Sequence, residues 1–264
     1  MTKIDGHIHS PYCPHGTKDP FEKYIEQAIQ LGYTQITFTE HAPLPKGFVD
    51  TTPTMDSGMT RESLDLYLSD LKELQNRYSH KINILIGLEV DFIEGYEKET
   101  TDFLNTYGMV LDDSILSVHF LHNKNSWDCL DYSHEYFNRM LETYGSVDLI
   151  YDKYYDTVKK SILAELGNYK PKRIGHMTLV RKFQKLHKPT HSYEQETNDI
   201  LKLIKEHDLQ LDYNGAGLLK PYCQETYPSE DIIKKAKALN IPIIYGSDAH
   251  QAKDLNQGRE KMLL

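Results

Sequence analysis

At 264 residues the chain is long enough to bury one sizeable core as a single domain, and nothing in its composition forces a second. Its formal net charge of −9, from 39 acidic against 30 basic side chains, argues against the basic stripe that holds a phosphate backbone, so no nucleic-acid partner is expected. There is no run of 18 apolar residues, MTKIDGHIHS lacks the charged-then-apolar order of a secretory leader, and the cysteines are three with no CxxC spacing; no membrane contact and a cytoplasmic, reducing compartment are expected.

Short β-branched or apolar runs alternate with longer helical patterns. Strands are expected near 3–9 (KIDGHIH), 34–40 (TQITFTE), 82–91 (INILIGLEVD), 114–120 (SILSVHF), 173–178 (RIGHMT), 209–214 (LQLDYN) and 242–248 (PIIYGSD). Between them, helices are expected over 20–31, 60–78, 96–107, 133–145, 148–167, 191–207 and 229–240, with Asp19-Pro20 and Ser229 as entry signals and Gly32 as a stop. Segment 42–59 (APLPKGFVDTTPTMDSGM) is a long polar loop of the kind that forms lids and binding walls. The βαβα order implies a parallel sheet with helices outside it. Periodicity alone leaves a closed barrel and an open doubly wound sheet equally available.

Thirteen histidines make that residue type the outlier of the composition. Side chains two apart on a strand share a face, which pairs His7 with His9 and, in SDAH, Asp248 with His250. His41 closes the second strand; Glu89, His119 and His176 fall near the ends of the third, fourth and fifth; His15 follows the first. Ligand groups of parallel α/β folds collect at the carboxyl ends of strands, so these residues can converge from almost the whole sequence. Taken singly, a strand-end histidine is most often a hydrogen-bonded rim residue. Seven of them with two acids at one end need a common partner, because buried imidazoles and carboxylates are costly unless paired, and cations supply it.

The pieces GHIHS with His15, TEH, GLEVD, SVH, GHM and SDAH occur in an order that resembles the polymerase and histidinol phosphatase (PHP) superfamily of metal-dependent phosphoesterases, over nearly the whole chain. The TEHAPLP, GLEVDF and GHMTLVRKF stretches look closest to its stand-alone histidinol-phosphate phosphatases. The resemblance implies a distorted (β/α)7, TIM-barrel-like single domain across 1–264 with a trinuclear centre at the C-terminal end of the strands. It implies one divalent ion on His7, His9, Glu89 and Asp248, a second on Glu89, His119 and His176, and a third on His15, His41 and His250. The catalytic set would be His7, His9, Glu89, His119 and Asp248. Imidazole and carboxylate ligands suit zinc, manganese or iron without selecting among them.

Two ions sharing a water lower its pKa and direct hydroxide at phosphorus, and a third can bind a phosphoryl oxygen. The expected substrate is a small phosphate monoester, L-histidinol phosphate. The alternatives are phosphotyrosine, a nucleotide phosphodiester, or a non-catalytic metal-binding barrel. Arg181 is expected as a phosphate clamp with Lys182 beside it, since a guanidinium can hold two phosphate oxygens. Asp91, on the face of Glu89, is expected to orient a ligand or meet the substrate's amine, and Asp5 to back a ligand histidine from one layer deeper. Cys13 sits among histidines and could touch a metal, and is read first as a free thiol. His122 and Trp127 are expected to wall the pocket. The histidines at 80, 122, 134, 187, 191 and 207 are assigned no ligand role, and the 19 tyrosines are read as packing residues. Composition gives no oligomeric state.

Overall fold

A computed structural model describes residues 2–124 and 126–264. Among them the strands are β1 (Ile4–Ile8), β2 (Gln35–His41), β3 (Asn83–Asp91), β4 (Ile115–Ser117), β5 (Phe120–Asn123), β6 (Ser126–Cys129), β7 (Arg173–Ile174), β8 (Gln210–Asn214) and β9 (Ile243–Gly246). The helices are α1 (Phe21–Gln30), α2 (Arg61–Tyr78), α3 (Glu97–Tyr107), α4 (His134–Tyr144), α5 (Val147–Leu163), α6 (Glu194–Glu206) and α7 (Glu230–Ala238). Among the described residues no helix is long and apolar enough to cross a membrane.

Seven strands form one all-parallel sheet in the order β1-β2-β3-β4-β7-β8-β9. The sheet closes on itself where Ile8 bridges Ala249 in parallel and Asp248 N–H donates to the His7 carbonyl at 2.7 Å. Closure decides between barrel and open sheet, which the periodicity could not. The barrel is irregular because β4 and β7 are only three and two residues long.

The helices form the outer ring because their apolar residues recur at helical spacing on one side. Phe21, Tyr24, Ile25 and Ala28 are the buried face of α1, and Phe38 of β2 meets the Phe21 and Tyr24 rings at centroid distances of 5.0 and 6.0 Å. Leu64, Tyr67, Leu71, Leu74 and Tyr78 do the same for α2, whose Tyr67 hydroxyl donates to the Phe38 and Gly87 carbonyls. Helix starts are capped as the side chains dictate: Thr60, Ser133 and Ser146 each accept from the backbone three residues on. Pro20 stands at the N-cap of α1, while Asp19 ties the loop to the Ala252 N–H and to Lys23.

The barrel interior is packed at its floor by Arg173, fully buried with its guanidinium 2.5 Å from an Asp113 carboxylate oxygen. Its head occupies the space a side chain on Gly6 would take: a Cβ there would lie 2.0 Å from Arg173 Nη1. One feature departs from the expected pattern. Residues 120–123 and 126–129, from a stretch expected to wall the pocket, pair antiparallel as β5 and β6, and His122 faces Trp127 with ring centroids 4.7 Å apart. Trp127 packs edge-on against Phe48 and Tyr96, away from the mouth of the barrel.

Candidate metal centre

The polar side chains lie within two residues of the carboxyl end of a strand, or in the segment just after it, so the groups meet at the carboxyl-terminal mouth. His9 follows β1, His41 ends β2, Glu89 lies two residues from the end of β3, and His119 and His176 follow β4 and β7 by two. Asp248 and His250 come after β9 and so owe nothing to strand alternation. Asp248 instead holds a left-handed backbone, φ 55°, that turns its carboxylate inward. Asn214 Nδ2 donates to that carboxylate at 3.1 Å.

Glu89 is the hub. One carboxylate oxygen lies 2.8 Å from His176 Nε2, 3.7 Å from His119 Nε2 and 2.6 Å from the donating Ser117 hydroxyl. The other lies 3.5, 3.6 and 3.1 Å from nitrogens of His7, His9 and His41. Asp248 stands 3.8 Å from His7 Nε2 and 3.2 Å from His9 Nε2. Two atoms each about 2.1 Å from a shared tetrahedral ion would be about 3.4 Å apart, and the pairings of His7 and His9 with Glu89 and Asp248 scatter around that spacing. Nε2 of His7 and of His9, and both ring nitrogens of His41, are buried without a hydrogen-bond partner, a costly state that a cation resolves. Among the described residues, three groups have donor atoms mutually within 4.8 Å: His7, His9 and Glu89; Glu89, His119 and His176; and His9, Cys13, His41 and His250. His15 joins the edge of the last group, its ring 4.9 Å from that of His41 and 5.2 Å from that of His250, with Nδ1 2.8 Å from the Asp56 carbonyl.

Behind the imidazoles stands a layer of carboxylates. Asp212 meets His7 Nδ1 at 3.0 Å, Glu40 meets His9 Nδ1 at 3.1 Å, and Asp91 meets His119 Nδ1 at 2.7 Å. Each fixes a ring so that Nε2 faces the centre. Asp91 is thus placed against the His119 ring. Asp5 does not back a histidine ring; it accepts from the His7 and Ser247 backbone N–H groups. The sequence reading missed Asp212 and Glu40. The available signals were an acid inside the apolar strand QLDYN and a second acid beside His41 in TEH.

Burial works against charge throughout, and the close pairing overrides it. Burial disfavours a proton on His7, yet Asp212, Glu89 and Asp248 raise it to about 10. Burial likewise opposes His119, which Asp91 and Glu89 raise to about 10. Despite their own burial, Glu89 and Asp248 are held well below the usual carboxylate range by the imidazoles around them. His41 goes the other way, pushed well down by burial and by the neighbouring His9. Burial pushes the Cys13 thiol up, but the imidazoles of His15, His250 and His9 outweigh it and bring it to about 5.

A cavity of about 530 Å³ opens over the cluster, lined by His15, His41, Glu89, His119, His176, Asp248 and His250 together with Lys182 and Lys220. Thr52, Thr54, Asp56 and Ser57 give segment 42–59 a concrete role as one wall, and Asp131, Tyr132 and Asp254 bring acid and phenol to the others. Lys182 Nζ donates to the Asp131 carboxylate at 2.9 Å and to its carbonyl at 2.7 Å. Arg181 is not brought to the cluster. Residues 179–183 form a 3-10 turn, and one step along it points Arg181 outward to Glu225 at 2.9 Å and Gln184 at 2.8 Å, lining a separate cleft. His122 and Trp127 likewise do not line the cavity; Cys129, Asp131 and Tyr132 from the end of the same stretch do.

A (β/α)7 barrel that gathers imidazoles and carboxylates at its C-terminal mouth, with groups able to hold metal ions, defines the class. The chain belongs to the PHP domain family, which residues 5–216 match. Over its full length it is 45% identical to the histidinol-phosphatase of Bacillus subtilis, covering 99% of that protein. The crystal structure of a candidate histidinol phosphatase from Listeria monocytogenes superposes with a TM-score of 0.94 at 38% identity, over 98% of this chain and 99% of that one. The histidinol phosphate phosphatase of Lactococcus lactis, solved with zinc, L-histidinol and phosphate, shares the fold at a TM-score of 0.67 and 21% identity, over 95% of this chain and 87% of that one.

Proposed function

We propose that this chain is a histidinol-phosphatase, a metal-dependent phosphoric monoester hydrolase that converts L-histidinol phosphate to L-histidinol and phosphate in histidine biosynthesis, in the cytoplasm. The observation that carries the metal-dependent reading is Glu89, 1% exposed and ringed by five histidines, with imidazole lone pairs buried beside it that nothing else satisfies. The substrate follows from the full-length kinship with the Bacillus subtilis enzyme. Three divalent ions are assigned: one to His7, His9, Glu89 and Asp248, one to Glu89, His119 and His176, and one to His15, His41 and His250.

Cations held there would activate water and neutralise the charge carried by the phosphoryl and leaving-group oxygens in the transition state. The chain's own groups do the rest. Glu40, Asp91 and Asp212 hold the rings of His9, His119 and His7 so that no reorganisation is needed on substrate arrival. Lys182, at the cavity wall, replaces Arg181 as the cation for a phosphoryl oxygen. Asp56 and Asp254 line the same cavity and present carboxylates to the ammonium and imidazole of the amino alcohol. Segment 42–59 narrows the mouth and limits water.

The test is phosphate release from histidinol phosphate, phosphotyrosine and a nucleoside monophosphate, with protein loaded with zinc, manganese or iron. Turnover should be fastest on histidinol phosphate and should fall to near background in His119→Ala. Equal rates on all three esters, or wild-type turnover in that variant, would overturn the reading.

A further inference from the structure

We propose that Cys13 is a ligand of the third cation position, bound as a thiolate beside His41, His250 and His15. This deepens the metal-centre reading and rests on it. The Cys13 sulfur and donor atoms of His9, His41 and His250 lie within 4.8 Å of one another. Cys13 is fully buried, and its turn is fixed by its own N–H on the Ser10 carbonyl at 3.0 Å and by Lys18 Nζ on the Pro11 and Cys13 carbonyls at 3.1 and 2.8 Å.

A second observation points to a ligand at this place. His41 is buried with neither ring nitrogen hydrogen-bonded, so a lone pair in this pocket has no other use. His9 is the remaining member of the group, and its ring is held by Nδ1 on Glu40, which leaves Nε2, 3.2 Å from Asp248, facing the first position. Its ring stacks on His250 at 3.9 Å, packing against the pocket without turning Nε2 away from the first position. Sulfur is therefore the donor that joins His41 and His250 within that group.

Binding removes the thiol proton and leaves a soft anionic donor among imidazoles. Such a set favours zinc or ferrous iron over manganese, whereas the other two positions, built from imidazole and carboxylate, do not make that distinction sharply. The third position would then differ from its neighbours in metal preference, and it would be the one that thiol oxidants disturb first.

Cobalt(II) loading of the wild-type protein tests this by its absorption spectrum. A near-ultraviolet sulfur-to-cobalt charge-transfer band is expected; it should vanish in Cys13→Ser while the visible cobalt bands persist, and it should remain in Cys129→Ser, whose thiol also borders the cavity. Wild-type protein that binds cobalt with no such band, or a Cys13→Ser variant that keeps it, overturns the assignment of Cys13 and leaves the metal centre standing. Failure to bind cobalt at all overturns both. Should Cys13→Ser not fold, zinc X-ray absorption on wild type decides: a sulfur shell at about 2.3 Å supports the proposal, and nitrogen and oxygen alone at about 2.0–2.1 Å overturn it.

Discussion

His7 Nδ1 lies 3.0 Å from an Asp212 carboxylate oxygen, with both side chains fully buried. The contact spans 205 positions of sequence and leaves His7 Nε2 as the nitrogen that faces Glu89 and Asp248. Removing the charge of Asp212 should loosen the ring's orientation and weaken its lone pair. Asp212→Asn is expected to lower metal affinity by about 10- to 100-fold with the fold retained. Competition against a chelator measures it, and an unchanged affinity would show that the pair is only a packing contact.

Neighbouring cations on one turn should have opposite phenotypes. Lys182 lines the cavity over the histidines and Arg181 lines another cleft. A charged hydrogen bond is worth about 1.5–3 kcal/mol, so Lys182→Met should cost roughly 10- to 100-fold in kcat/KM. Arg181→Met should stay within about twofold. Steady-state kinetics on histidinol phosphate decides, and the reverse order would restore the arginine as the clamp.

Acidity ties metal binding to protons. In the metal-free protein burial opposes charge on His7, His119 and His15, but their acidic or thiol neighbours raise them to about 10, 10 and 9. Being raised above the ordinary value of 6.5, they contribute stability that is fully present below that pH and is lost as pH climbs through 9 to 10. Metal ligation requires the neutral ring, so the dependence reverses on loading: affinity should rise with pH, and protons should be released at neutral pH. Calorimetric titration with zinc in buffers of different ionisation enthalpy counts those protons. A count of zero would mean the rings are already neutral before metal arrives.

Gly6 and Arg173 share one space at the barrel floor. Gly6→Ala places a Cβ 2.0 Å from Arg173 Nη1 and 2.6 Å from Ile244 Cγ2, so one of them must move. The expected loss is about 1–3 kcal/mol by denaturant unfolding. Arg173→Met removes the head that clashes, so the double variant should be more stable than the two losses added together. Simple additivity would place the strain elsewhere.

Much of the architecture was legible before any coordinates. All seven sheet strands and all seven helices fall within a few residues of the expected spans, because each is written in a local pattern: LGYTQITFTEH alternates, and RESLDLYLSDLKEL repeats at helical spacing. The pair of β5 and β6 was missed since its strands are four residues each, too short for alternation to register. Of the expected ligands, His7, His9, His15, His41, Glu89, His119, His176, Asp248 and His250 do meet at one mouth. Strand ends are readable from sequence, and parallel strands all end on the same side.

By itself, then, the sequence determined the elements and the kinds of donor that stand at their ends, because both depend on neighbours a few residues away. Tertiary structure alone decided that the sheet closes, that Asp212 and Glu40 back His7 and His9, that Lys182 rather than Arg181 faces the cavity, and that Cys13 meets His41 and His250. Those are matters of direction in space. One residue's step along a turn reverses which way a side chain points, and a partner 205 positions away leaves no local trace.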